Sequence, residues 1–160
     1  MVFLRNRMLA QVKGTRDNQL KKLLSVATQY YCYRLLPPRI ARNLQIEILL
    51  KKDLEEDGFC EIADYNTKGK ARYFTIELAR SLNKKSLLRT LAHECVHIKQ
   101  YALGELDENM TVWRGRRVNS DTVPYWDHPW EIEAYGKEKG LYVRFSEAHE
   151  LGKINYEPTW

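Results

Sequence analysis

His93-Glu94-Cys95-Val96-His97 is an HExxH pattern, and residues of these types at this spacing are suited to metal-assisted hydrolysis. On a helix, two histidines four apart stand one turn apart on one face, so both imidazoles can reach the same ion. Glu94 follows the first histidine, where its carboxylate can reach a metal-bound water. Zinc brings the pKa of such a water to about 7, and the carboxylate takes the proton as hydroxide attacks a carbonyl. The chain has 4 His and 14 Glu in 160 residues. A shuffled chain of that composition would carry the pattern about 1% of the time, so chance explains it poorly. The pattern alone points to a zinc-dependent hydrolase, most often one that cuts peptide bonds.

The surrounding sequence supplies a helix to hold these groups. Asn83 is suited to cap its start, Lys84 to Leu103 contains no Pro or Gly, and Gly104 is placed to end it. Leu88, Leu91, Ala92, Cys95 and Val96 make a core-facing stripe, with His93, His97 and Tyr101 in line beside it. An earlier helix starts at a cap on Asp17, carries Leu20, Leu23, Leu24, Ala27, Tyr31 and Leu35 at helical spacing, and ends at Pro37-Pro38. Tyr30, Tyr31 and Tyr33 read as packing residues. Three strands are expected at Leu44 to Leu50, Phe59 to Tyr65 and Ala71 to Leu78. The last two are joined by a hairpin turn over Asn66-Thr67-Lys68-Gly69-Lys70. Thr111 to Val118 reads as a short hairpin or covering loop, and a last helix runs from about Pro129 to Leu151.

An apolar content of 44% suits one core of ordinary size. No apolar run approaches the ~20 residues of a membrane span, and the start has no leader-like apolar segment. Cys32, Cys60 and Cys95 are odd in number and far apart, which argues against a disulfide framework and for a cytoplasmic protein, or host cytoplasm if phage-encoded. Residues 1–43 carry nine Lys or Arg against Asp17 alone, a balance that permits binding of nucleic acid or another acidic partner. Residues 1–16 are therefore assigned to a basic N-terminal arm and 17–160 to one domain.

A catalytic zinc needs a third protein ligand and one open position. Glu131, Glu133, His128 and His149 are the candidates. Glu131 and Glu133 point about 200° apart on a regular helix, so only one can serve. Ala92 to Gln100, followed by Pro129-Trp130-Glu131-Ile132-Glu133-Ala134-Tyr135, resembles the zincin metallopeptidases, and among them the glutamate zincins (gluzincins). Their second helix supplies a ligand in an ExxA-type motif, and Glu131 stands in that register. The Asp or Asn found four residues after the ligand in such motifs is Tyr135 here.

The element order is also similar to minimal zincin domains, which include SprT-like proteases and small peptidases of phages and prophages. This resemblance implies an α+β fold with an N-terminal helix, a small three-stranded sheet, the HExxH helix and a C-terminal helix carrying the third ligand. It implies Zn2+ as cofactor and a peptide or protein as substrate, bound as an added strand on Ala71 to Leu78. A protease of the SprT-like kind acting on DNA-bound proteins, or a zinc-binding module without hydrolysis, are the alternatives. Tyr125, His128, Tyr135 and the arginines of 114–117 are candidates to stabilise the oxyanion, and Trp113, Trp126 and Trp130 read first as core cover over the helices, with lining of a pocket as the alternative.

Overall fold

Local chemistry starts and stops the elements at the expected places. In the computed structural model, which describes residues 8–149, the Asp17 carboxylate accepts from the N–H groups of Gln19 and Leu20 and opens α1 (Asn18–Leu35). Pro37 ends that helix, and Pro38 begins the one-turn α2 (Pro38–Ala41). Strand β2 (Gln45–Lys51) alternates, with Ile46, Ile48 and Leu50 buried. β3 (Gly58–Tyr65) and β4 (Ala71–Ala79) form a hairpin. Its turn is held by Asn66 Oδ1, which accepts from the N–H groups of Lys68 and Lys70, and by Gly69 at φ +74°.

The basic N-terminal region gives the first correction. Leu9–Lys13 is a strand, β1, paired in parallel with β2 from Leu9 opposite Gln45 to Lys13 opposite Leu49. The assigned arm therefore enters the sheet, which has four strands rather than three. Five residues with only Val12 buried among them give no alternation to read, and the pairing rests on backbone bonds to β2. Helix α1 is the crossover that parallel pairing requires. Gly14 then turns the chain at φ +95°, where an added Cβ would sit 2.2 Å from the Leu50 carbonyl oxygen. Arg5 and Arg7, like Leu151, lie outside the described residues.

The strand order is β1-β2-β4-β3, with β3 antiparallel at one edge. This corrects the expected substrate strand. Residues 71–78 lie in β4, which is paired on both sides and has no free ladder to offer. The free antiparallel edge is β3.

Helix α3 (Lys84–Ala102) is capped by Asn83, whose Oδ1 accepts from the Ser86 N–H. It packs against β3 and β4 and also against α1 and α4 (Pro129–Ala148). Every residue from Leu91 to Ala102 is buried, including His93, Glu94, His97, Lys99 and Gln100. Polar groups placed so deep need partners or a function. Between α3 and α4 a two-residue ladder, β5 (Val112–Trp113) with β6 (Arg116–Arg117), turns through Arg114 and Gly115 at positive φ, as a tight hairpin requires. The class is α+β, as expected. Cys32, Cys60 and Cys95 are buried free thiols. Among the described residues no helix is long and apolar enough to cross a membrane.

Candidate metal centre

Helical spacing on α3 and the start of α4 bring three donors to one point. His93 Nε2 lies 3.1 Å from Glu131 Oε1, and His97 Nε2 lies 3.0 Å from the same oxygen. One ligand atom from each residue falls within 4.8 Å of the others, and all three residues are buried. Two imidazoles and one carboxylate, with nitrogens facing an oxygen, form a donor set that could hold a divalent metal ion. Glu131 stands in the first turn of α4, where the helix dipole also favours an acid.

The electrostatics agree with a centre built for positive charge. Burial opposes ionisation of Glu131, but hydrogen bonds from both rings and their charge bring its carboxyl down to about 2. Burial likewise opposes a charged His97, yet the Glu131 hydrogen bond and the nearby Glu94 charge raise its pKa. Protons on the rings or a cation between them would satisfy the same geometry.

The structure separates the four candidates for third ligand. Glu133 faces away from the histidines. Lys99 Nζ lies 3.0 and 2.8 Å from its two oxygens, with Gln100 Nε2 at 3.0 Å, Lys137 Nζ at 3.2 Å and Arg114 Nη2 at 3.3 Å. Burial works against its ionisation, but the Lys99 and Gln100 hydrogen bonds hold its pKa at about 2. His128 Nε2 donates to the carbonyls of Val123 (2.9 Å) and Ser120 (3.3 Å), so it ties down its own loop while the residue also lines the cleft. His149 packs on Phe145, with ring centroids 4.3 Å apart, and on Tyr30. Only Glu131 joins the histidine pair.

Glu94 is 5% exposed and lines a cleft of about 750 Å³ that reaches the three donors. Its carboxylate borders the cleft and interacts electrostatically with His97 and His93. Burial lifts its pKa to about 7, against the lowering pull of His97 and His93. Gly58, at the start of β3, allows this arrangement. A Cβ there would lie 2.6 Å from Thr90 Cγ2 and 3.0 Å from Glu94 Oε1, so a side chain would press on the carboxylate.

Across the cleft, the Tyr135 ring lies 4.4 Å from that of His93, and the Tyr125 and Tyr135 hydroxyls are 3.3 Å apart. Burial and that hydrogen bond push the Tyr125 pKa up, which keeps its hydroxyl a donor. Trp126 is 67% exposed and packs on Tyr135, whereas Trp130 is core and lies against Trp113. Tyr101, in line with the histidines, is buried and stacked on Phe74. Arg114 belongs to the Glu133 cluster. Of the basic residues in 1–43, Lys13 pairs with Glu47 and Arg34 lies over the Tyr30 ring.

Two residues escaped the sequence reading. Gln100 Oε1 is 2.8 Å from His97 Nδ1, and Glu138 Oε2 is 3.7 Å from His93 Nδ1. Their spacings, three after His97 and seven after Glu131, are same-face helical spacings that could have exposed them. No family model, curated protein or solved structure matches the chain.

Proposed function

We propose that this chain is a zinc-dependent metallopeptidase of the minimal zincin type, with His93, His97 and Glu131 as ligands and Glu94 as general base. One observation carries the reading: a buried carboxylate, Glu94, borders the same cleft as a buried His-His-Glu group that could hold a metal ion. Burying an acid costs stability, so a carboxylate kept at the cleft beside three metal donors favours a role toward a bound group. This also argues against a binding module without hydrolysis.

Zinc, when bound, supplies Lewis acidity to the scissile carbonyl and to the attacking water. Glu94 takes a proton from that water and returns it to the leaving amine. The Tyr125 and Tyr135 hydroxyls line the cleft and can donate to the oxygen that gains charge. The free edge of β3 can hold an extended polypeptide by backbone hydrogen bonds, with Gly58 bringing that edge beside Glu94.

The test is cleavage of an unfolded protein by the purified, zinc-loaded chain, beside Glu94→Gln. We expect cleavage by the wild type, none by the variant and one zinc per chain in both. A wild-type protein that binds zinc but cuts no unfolded protein or peptide would reject the peptidase reading. Equal cleavage by Glu94→Gln would reject the base.

A further inference from the structure

We propose that Gln100 is a positioning residue that fixes His97 as a metal ligand through one nitrogen only, and that the ion cluster around Glu133 holds Gln100 in the orientation this requires. The proposal rests on the metal-site reading above. It follows from donor and acceptor roles alone.

Gln100 is fully buried. Its Nε2 donates to the Trp130 carbonyl oxygen at 2.9 Å and to Glu133 Oε1 at 3.0 Å. The carbonyl can only accept. Glu133 also only accepts, because its carboxylate faces Lys99, Arg114 and Lys137 within 3.3 Å. The amide nitrogen must therefore face those two groups, which leaves Oε1 facing His97 Nδ1 at 2.8 Å. An amide oxygen cannot donate, so Nδ1 must carry the proton. The neutral ring then keeps its lone pair on Nε2, the nitrogen directed at Glu131 and His93.

The chain of contacts continues outward. Lys99, itself 7% exposed, bridges Glu133 and Glu105, and Arg114 at the hairpin turn pairs with both acids. The β5–β6 turn and α4 are thus tied to the same amide that orients His97. His93 lacks comparable support, since the carboxylate facing its Nδ1, that of Glu138, is 3.7 Å away.

Two experiments on the full chain test this. In the 15N-histidine NMR spectrum of the zinc-loaded wild type, His97 should show a proton on Nδ1 that exchanges slowly with water. Coordination through Nδ1, or a rapidly exchanging Nδ1 proton, would overturn the proposal without any variant. The second uses cobalt(II) as probe with Gln100→Met, which keeps side-chain length and apolar packing. We expect cobalt affinity to fall about 10–100-fold, with altered visible bands, because supporting hydrogen bonds carry effects of that size. A variant that melts lower without metal, yet binds cobalt within threefold of wild type and with unchanged bands, would show a packing role only and overturn the relay while leaving the metal site standing. A wild type that binds neither zinc nor cobalt would remove both readings.

Discussion

Glu131 and Glu133 are two residues apart on one helix, and both are held near pKa 2, but their surroundings differ in kind. Glu133 sits among resident cations, Lys99, Arg114 and Lys137, so its charge is neutralised by the protein itself. Glu131 sits between two imidazoles that can be neutral, and among the described residues it has no lysine or arginine partner. One neighbourhood is complete without a ligand, whereas the other needs protons or an ion. A depressed carboxyl pKa therefore does not mark a metal site unless what depresses it is itself a base.

Exchanging the demands of the two sites should break this contrast. The largest effect is expected from Glu131→Ala. Zinc affinity by chelator competition should fall more than about 100-fold, beyond the loss typical of a supporting residue, whereas Glu133→Ala should stay within about 10-fold. The reverse order would place the ligand in the wrong neighbourhood. Next comes Glu94→Gln, which should lower kcat about 10²–10⁴-fold in a peptidase assay while zinc content by elemental analysis is unchanged.

Glu133→Gln should instead cost stability. Urea unfolding of metal-free protein at pH 7 should show a loss of about 1–3 kcal/mol. The sign follows from a folded pKa of about 2 against the ordinary 4.5: the contribution is present above 4.5 and fades as pH falls towards 2. The difference between variant and wild type should therefore narrow by pH 3. An undiminished difference there would mean that packing, not charge, is lost. The smallest effect is expected for Glu138→Gln, because its 3.7 Å approach to His93 is too long for a hydrogen bond; zinc affinity should change only a few-fold, near the lower limit for supporting residues.

The legible parts of the sequence were those governed by local rules. Asp17 and Asn83 cap helices because their side chains bond neighbouring N–H groups, and Asn66 with Gly69 makes the hairpin turn. The His93–His97 spacing fixes a helical face, and the motif register placed Glu131 with it. What could not be read depends on distant partners. β1 is a strand only because β2 lies beside it, and β4 is interior only because β2 and β3 flank it. Gln100 is significant because Trp130 and Glu133 arrive from another helix.

The separation of the ligands along the chain has a mechanical consequence. His97 and Glu131 are 34 residues apart, and an ion bound by both would close the intervening segment into a ring. Such a ring restricts the unfolded chain much as a cross-link does, and the metal would act as a reversible staple between α3 and α4. Chelation should then loosen the intervening segment first, so limited proteolysis between residues 103 and 128 would report ion occupancy without any substrate.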